Sequence, residues 1–348
     1  MERQRNMKTA RELLWPKADS GILVRFVFLH VGQGSSTVVL VRDGTSYKSL
    51  LVDINLDADN DGIDVPRLVF ELLDGHKLDV FVNTHPHDDH LRGIVELADK
   101  VEIAEVWHSG HKPGKKYDDA YKNLTKVIED VKKKGGKEVC LRSDPAQKNI
   151  GEGNYYVLAP KETVAEDVQD EDPDTRCRRI HEHCCVLKFG TGNTWGLLPG
   201  DADRAAFENH ITKDHKDRLG SVVLAAAHHG SRSFFMEKKE DDPYLGALDA
   251  INPEYVVISA QKQTAQRDDP PHADAIALYE KKVGADAVLH TGERGYSFIS
   301  DIYDGGSYSG IRDDKGELHT SYPIDGRNKP PIVPIIGRTR VDDRPMGE

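Results

Sequence analysis

Short apolar runs bounded by glycine and polar residues recur along the chain, and segments with helical spacing lie between them. Runs of this kind are typical of buried strands, whereas apolar residues at spacings of three and four are typical of helices. The predicted strands include 21–31, 35–42, 47–55, 78–83, 101–107, 194–198, 221–227 and 255–259, and the predicted helices include 65–73, 93–100, 117–134 and 273–282. Residues 165–175 are acidic and are predicted to form an exposed loop. The pattern predicts a chain of mixed strands and helices.

The segment 84–90 reads T-H-P-H-D-D-H and directly follows the predicted strand 78–83. His85 and His87 are two residues apart, so an extended backbone places both side chains on the same side. Imidazole nitrogen and carboxylate oxygen are the ligands that hold Zn²⁺, or Mn²⁺ where oxygen ligands dominate. Asp89 and His90 bring the number of ligand-type side chains to four within six residues. This density predicts a site for two metal ions rather than one.

This segment resembles motif 2 of the metallo-β-lactamase superfamily, and further stretches resemble the other motifs in the same order along the chain. Asp53 resembles the motif 1 aspartate that braces the histidine turn. Asp201 resembles the motif 4 carboxylate that bridges two metals, and the H-H-G-S string at 228–231 resembles motif 5. The resemblance implies a layered α/β fold, the αββα sandwich, with metal ligands on loops at one edge of the sheets.

The resemblance also implies a set of ligands. His85, His87 and the motif 3 histidine hold the first metal, with His183 as the preferred motif 3 residue and His181 as its rival. Both histidines are expected on one strand, where residues two apart share a face. The expected ligands of the second metal are Asp89, His90, His228 and the bridging Asp201, and spacing leaves open whether His228 or His229 is the ligand. Asp53, Asp89 and Asp201 are the expected catalytic carboxylates.

Other segments resemble one branch of the superfamily, the metallo-hydrolase domain of the DNA-uptake channel ComEC. Residues 30–36 read H-V-G-Q-G-S-S and resemble its D-V-G-Q-G-D-A hairpin, from which the chain departs at His30 and Ser35. Residues 270–274 resemble its G-H-P-H segment, of which His272 remains as a candidate on the substrate side. The remaining candidates for contact with a bound phosphate are His229, Ser231 and Lys262.

The resemblance to this branch implies a phosphodiesterase or nuclease in which a metal-bound hydroxide attacks phosphorus. The substrate would be nucleic acid or a small nucleotide phosphodiester. A hydrolase of lactones or thioesters would use the same metals and is the first alternative. The second is a module without catalytic activity, in which the metal site is retained for folding and another surface binds a partner.

Charge and composition narrow these possibilities. The chain has 348 residues and a formal net charge of −12, which argues against a broadly basic surface for duplex nucleic acid and favours short or single-stranded substrates. No apolar run approaches the roughly 20 residues of a membrane span, so no contact with a membrane is expected. Four cysteines, two of them adjacent, make no disulfide framework, and the absence of an apolar segment behind the basic N-terminus favours the cytoplasm.

The chain is predicted to have three parts. Residues 1–20 are predicted to be a leader, 21–302 the metallo-β-lactamase-type domain, and 303–348 a tail whose role the sequence does not reveal. The acidic run Asp57–Asp64 lacks the closing glutamate of a calcium loop and is predicted to be solvated.

Overall fold

The computed structural model describes residues 8–114, 118–263 and 269–324. Their strands form two sheets, one of eight strands in the order β15-β14-β1-β2-β3-β4-β5-β6 and one of seven in the order β13-β12-β11-β10-β9-β8-β7. The strands are β1 (Ile22–Phe28), β2 (Thr37–Asp43), β3 (Ser46–Val52), β4 (Leu78–Asn83), β5 (Ile103–His108), β6 (Lys137–Cys140), β7 (Lys148–Ile150), β8 (Gly153–Ala159), β9 (Val186–Thr191), β10 (Thr194–Leu198), β11 (Val223–Ala225), β12 (Tyr255–Ile258), β13 (Val288–His290), β14 (Phe298–Tyr303) and β15 (Tyr308–Asp313).

The helices of these residues are α1 (Ala10–Leu14), α2 (Val65–Leu73), α3 (Ile94–Lys100), α4 (Asp118–Lys133), α5 (Glu162–Asp170), α6 (Pro173–Arg178), α7 (Arg204–Ala206), α8 (Thr212–His215), α9 (Gly246–Ile251), α10 (Ala273–Val283), α11 (Thr291–Arg294) and α12 (Glu317–Ser321). A π-helical segment, Phe207–Ile211, joins α7 to α8. Helix α2 illustrates how the sequence sets these bounds, because the Asp64 side chain accepts a hydrogen bond from Arg67 N at its start.

The alternation of side chains along the strands divides the core into layers. In the antiparallel pair of β1 and β2, Phe26 lies opposite Val39, and both pack in a core shared with the second sheet. The neighbouring pair, Val27 and Val38, packs on the opposite face against helices α1 to α4. A third core lies between the second sheet and helices α9 and α10. This order of layers, helix-sheet-sheet-helix, confirms the predicted αββα sandwich.

Parallel strands in both sheets end at the loops that carry the predicted ligands. In the first sheet β3 runs parallel to β4, and Asn83 at the end of β4 leads directly into the histidine turn. In the second sheet β10, β11 and β12 are mutually parallel, and they lead into the segments that contain Asp201, His228 and Ser259. The scaffold thus brings loops from both sheets together, as is usual for functional residues.

Three parts of the chain differ from the sequence-based expectations. The predicted loop at 165–175 is wrong, because α5 and α6 occupy most of it; Val164, Ala165 and Val168 bury one side of α5, and the Asp172 side chain caps α6. Ala10 and Leu14 of α1 are fully buried in the first core, although they precede the predicted domain start. Beyond residue 302, β15 pairs with β14, and the remaining tail, 325–348, lies outside the described residues. Among the described residues, no helix combines the length and apolar character needed to cross a bilayer.

Candidate metal centre

Asp53 holds the histidine turn in place. Its carboxylate accepts hydrogen bonds from Thr84 N at 2.8 Å and from Thr84 Oγ1 at 2.7 Å, and lies 2.7 Å from Nδ1 of His90. Asp53 has a φ of 57°, a left-handed conformation that is uncommon outside glycine and is often associated with functional sites. Asp53 therefore lies where motif 1 predicts a brace, in contact with both the backbone and one histidine of the turn.

Two groups of side chains converge at the ends of the strands. The first group is His85, His87, His181 and Asp201, whose potential ligand atoms all lie within 4.8 Å of one another. The second group, by the same measure, is Asp89, His90 and His229. Together the two groups contain all four ligand-type residues of the histidine turn, and they draw on four separate segments of the chain.

Asp201 lies between the two groups, and its two oxygens face different histidines. Oδ2 is 3.6 Å from His85 Nε2 and 3.9 Å from His181 Nε2. Oδ1 is 3.0 Å from His90 Nε2 and 3.6 Å from His229 Nε2. The side chain of Asp201 is 2% exposed, so these contacts form in an environment with little water. A carboxylate in this position can serve two cations, one through each oxygen.

His181, and not His183, lies beside the first group. Its Nε2 is 3.4 Å from His87 Nδ1, whereas Nδ1 of His183 lies 2.9 Å from Nδ1 of His111. The expectation that the two histidines share a strand face does not apply, because β9 begins at Val186 and residues 181–183 form a turn. The backbone bond from His183 N to Arg179 O is part of that turn and directs the two side chains to different neighbours.

His229 lies in the second group, whereas the expected ligand was His228. His229 Nδ1 is 2.9 Å from the carbonyl oxygen of Ser259, and its Nε2 is 3.4 Å from Asp89 Oδ2. His228 also contacts the centre, with Nε2 3.5 Å from Asp201 Oδ2, but its Nδ1 contacts Ser233 Oγ at 2.9 Å. Both residues have positive φ, 49° for His228 and 56° for His229, and this turn separates their side chains.

Burial and charge set the protonation of these groups. Burial lowers the pKa of His85 and His87 well below the ordinary value, which keeps both imidazoles neutral at pH 7. Burial also opposes charge on His90, but the carboxylates of Asp201 and Asp53 outweigh it and raise its pKa. Burial would raise the pKa of Asp201, yet the neighbouring imidazoles, of which His90 contributes most, hold it well below its usual range.

The donor set fits divalent cations. Nε2 of His85 is buried and has no hydrogen-bond partner among the described residues, although a buried polar atom normally has one. Three imidazoles and one carboxylate in the first group, and two imidazoles and one carboxylate in the second, are ligand sets that suit divalent transition metals. The contacts of His90 with Asp53 and of His229 with Ser259 O engage the second ring nitrogen, as is usual for histidines that bind metal.

The other predicted substrate contacts differ in their exposure. Ser231 is buried, and its Oγ accepts the Ser233 N–H at 3.2 Å within the local turn. His272 is also buried and its Nδ1 accepts the Arg232 N–H at 3.1 Å, which ties the 230–232 loop to the start of α10. Lys262 is exposed, three residues beyond Ser259 in the loop after β12. Ser231 and His272 thus have structural hydrogen bonds, whereas the Lys262 side chain is accessible.

The sequence-based site omitted two residues that the structure places in it. Thr84 Oγ1 lies 3.2 Å from His85 Nδ1, in addition to its bond to Asp53. Its position immediately before the histidine string was the available signal. Ser233 contacts His228, and nothing in its local sequence distinguishes it from other serines.

The chain was compared with family models, curated proteins and solved structures. Residues 31–183 match the family model of the metallo-beta-lactamase superfamily. The search of curated proteins found no match.

Three solved structures are among those that the chain matches. CmlA, a diiron beta-hydroxylase from Streptomyces venezuelae, has 14% identity and a TM-score of 0.42, with 76% of this chain and 52% of CmlA covered. The chain therefore spans about half the length of CmlA. A diphosphatase from the PhnP family has 12% identity and a TM-score of 0.36, with 76% and 94% covered. A motif mutant of the metallo-beta-lactamase from Cronobacter sakazakii has 14% identity and a TM-score of 0.32, with 76% and 95% covered.

The family match includes Asp53, the whole histidine turn and His181. Asp201, His228 and His229 follow it in the chain and complete the same cluster in space. Over residues 31–183 the chain is similar to the metallo-beta-lactamase superfamily.

Proposed function

We propose that this chain is a dinuclear metal-dependent hydrolase that cleaves phosphodiesters, either short nucleic acid or a small nucleotide. The observation that carries the proposal is the position of Asp201, whose Oδ1 faces His90 and His229 while Oδ2 faces His85 and His181. A single bridging carboxylate between two imidazole groups is suited to a pair of cations.

The proposed first site consists of His85, His87 and His181, and the proposed second site of Asp89, His90 and His229, with Asp201 shared. Zn²⁺ suits the imidazole-rich set best, and Mn²⁺ is the alternative. When bound, two divalent cations lower the pKa of water and neutralise negative charge that develops on substrate oxygens.

The protein's own groups orient this centre. The Asp53 carboxylate accepts a hydrogen bond from His90 Nδ1–H, and the Ser259 carbonyl oxygen accepts a hydrogen bond from His229 Nδ1–H. Each contact leaves Nε2 directed toward Asp201. Fixing the tautomer in this way raises the basicity of the ligand and removes the need to reorganise it.

His228 is the proposed proton donor to the leaving oxygen. Its side chain is 12% exposed, whereas those of His85 and His90 are fully buried. Its Nε2 lies 3.5 Å from the bridging carboxylate, and its Nδ1 contact with Ser233 holds the ring. A histidine at hydrogen-bond reach of the reacting atoms is the commonest general acid in enzymes.

The phosphodiester class is supported by the resemblance of residues 30–36 and 270–274 to the ComEC-type branch and by the exposed Lys262, which suits an anionic group. The net charge of −12 favours substrates with few phosphates, because a polyanion is repelled by an acidic surface. A short phosphodiester carries fewer negative charges and is therefore repelled less by this surface.

The test is a substrate and metal panel with the full chain. Protein freed of metal and then supplied with Zn²⁺ or Mn²⁺ is assayed on bis-para-nitrophenyl phosphate, a short oligonucleotide, a lactone and a thioester. The proposal predicts metal-dependent turnover of the phosphodiesters and a loss of at least about 100-fold in His87→Ala, since several kcal/mol of charge stabilisation are removed.

The matched control is His76→Ala, an exposed histidine at the end of α2, which should keep wild-type activity. Preferential turnover of the lactone or thioester would assign the same centre to another ester class. Metal binding without turnover of any substrate would refute the catalytic role.

A further inference from the structure

A third group of potential ligands lies outside the centre around Asp201. It consists of His30, Asp61 and His319, whose nearest ligand atoms all lie within 4.8 Å of one another. His319 Nε2 is 3.4 Å from Asp61 Oδ2, and the rings of His30 and His319 are 5.6 Å apart, centroid to centroid. None of these three residues belongs to either group at Asp201.

Backbone hydrogen bonds hold the three segments together. His30 O accepts a hydrogen bond from Ile63 N at 3.1 Å, which joins the turn after β1 to the acidic loop that contains Asp61. Asp64 N donates to Tyr322 O at 2.7 Å, which joins that loop to the residues after α12. His319 lies on α12, so the geometry of the group is set by main-chain contacts and not by the side chains alone.

The histidine nitrogens of this group have unmet hydrogen-bonding capacity. His30 is 3% exposed, and its Nδ1 is buried without a hydrogen-bond partner among the residues the structure describes. Nδ1 of His319 is likewise buried and has no hydrogen-bond partner among the described residues. A buried polar atom without a partner costs about 1–3 kcal/mol, so such atoms usually mark a missing water, ion or ligand.

The charge state of His30 suits metal binding. Burial, with a further contribution from His319, lowers the pKa of His30 to about 4. The imidazole is therefore neutral at pH 7 and offers a lone pair. The side chain of Asp61 is 82% exposed, so its carboxylate has room to turn toward the two rings.

We propose that His30, Asp61 and His319 form a third metal site, which binds a divalent transition-metal ion, Zn²⁺ by the best chemical fit. Two imidazoles and one carboxylate are a common set for zinc, with water completing the tetrahedron. The His319 Nε2–Asp61 Oδ2 separation of 3.4 Å is the separation, about 3.4 Å, of two ligand atoms on one tetrahedral zinc ion with bonds near 2.1 Å.

This site explains one departure noted in the sequence. His30 stands where the ComEC-type hairpin has aspartate, and His319 comes from a segment beyond the predicted domain. A metal there would join α12 to the turn at 30–36, whose Ser35 N donates to Asp89 O at 3.2 Å. The site thus links the C-terminal part of the described chain to the loop beside the proposed catalytic centre.

The experiment measures metal content of the purified full chain after dialysis against limiting Zn²⁺. Wild type should retain one equivalent more per chain than His319→Ala and Asp61→Asn, while His76→Ala should match wild type. Asp61 has a φ of 61°, which asparagine tolerates, and its side chain is exposed, so the Asp61→Asn variant is expected to fold. Equal metal content in wild type and both variants would overturn the proposal.

A second measurement separates binding from folding. Zn²⁺ at about 100 times the dissociation constant should raise the Tm of wild type by about 4 °C more than that of His319→Ala or Asp61→Asn, because it binds the folded chain. Hydrogen exchange at Leu318 and Tyr322 should slow on zinc binding in wild type only. Phosphodiesterase activity of the two variants should persist, so failure of this site and failure of the proposed catalytic function give different results.

Discussion

Oδ2 of Asp53 lies 2.7 Å from Nδ1 of His90, and Nε2 of the same ring lies 3.0 Å from Oδ1 of Asp201. The imidazole of His90 thus connects a carboxylate from the first sheet with one from the second. Both nitrogens of a buried ring are engaged, and the orientation of the ring is fixed by residues that come from opposite halves of the sandwich.

The first prediction concerns Asp53, whose carboxylate holds the ring of His90 in place. In Asp53→Asn a single amide oxygen must serve donors at Thr84 N, Thr84 Oγ1 and His90 Nδ1, so at least one is left unpaired. We expect a 10–100-fold loss of metal affinity or activity, the usual effect of removing a partner of a metal-binding histidine. Competition with a chelator measures the affinity. Asp79→Asn is the control, since Asp79 also accepts bonds from a backbone N–H and a hydroxyl, those of Ser49, but away from the centre. Equal loss in both variants would contradict the role of Asp53.

The second prediction separates His181 from His183. His181→Ala should lose metal from the first site and reduce turnover at least about 100-fold, because a ligand's share of charge stabilisation is lost. His183→Ala should keep its metal, since its side chain contacts His111 instead. Metal content and turnover of the two variants are compared directly. The assignment is wrong if the two variants lose metal equally or if only His183→Ala does.

The third prediction concerns the adjacent pair at 228–229. His229→Ala should lose metal from the proposed second site, where His229 lies beside Asp89 and His90. His228→Ala should retain both metals but turn over more slowly, with a loss of about 100–10,000-fold if it is the general acid. The discriminating measurements are the metal content and the dependence of kcat on the quality of the leaving group. The loss of kcat in His228→Ala should be smaller for a substrate with a good leaving group. An equal loss of kcat for all leaving groups would count against proton donation by His228.

The fourth prediction concerns a glycine beside the centre. Gly34 has a φ of 148°, and a Cβ added there would lie 2.5 Å from both Asp89 O and Asn55 Nδ2. Gly34→Ala should therefore displace Asp89 and weaken metal binding at the second site. Gly220→Ala is the matched control, because a Cβ at Gly220 meets nothing within 4 Å. Metal titration of both variants is the measurement, and unchanged binding in Gly34→Ala would show that the turn tolerates the methyl group.

The fifth prediction is a pH dependence of stability away from the centre. Lys188 is buried, and burial lowers its pKa from 10.5 to about 7. Between these pH values the unfolded chain binds more protons than the folded chain, so this residue makes stability rise with pH across that window. The rise is at most about 5 kcal/mol, and the bonds of the ammonium to the carbonyls of Arg218 and Gly220 reduce it.

The measurement for Lys188 is urea unfolding of wild type and Lys188→Met at several pH values from 7 to 10. The pH slope of the free energy of unfolding should be shallower in the variant. The absolute stability at one pH is less informative, because methionine also leaves two carbonyl groups without their donor. Identical slopes would show that Lys188 titrates near its ordinary value in the folded chain.

Local sequence patterns predicted many elements closely. The apolar run Leu78–Asn83 is β4, and the helical spacing of Val65–Leu73 is α2, both with the predicted bounds. The prediction failed at 165–175, where acidic residues suggested a loop. There α5 is stabilised by burying a narrow apolar face, Val164, Ala165 and Val168, that a mostly charged segment conceals.

What the sequence determined by itself was a chain of mixed strands and helices and the positions of Asp53, the histidine turn and Asp201 along it, whereas the αββα sandwich was implied by the resemblance of these motifs to the superfamily. Each of these residues follows a buried strand, so the predicted end of the strand locates the residue along the chain. What only the tertiary structure decided was the choice of His181 over His183 for the first group, the place of His229 beside His228, and the meeting of His30 with His319. These depend on the direction of side chains in turns, on positive φ angles and on contacts between segments far apart in the chain, none of which a local pattern of residues specifies.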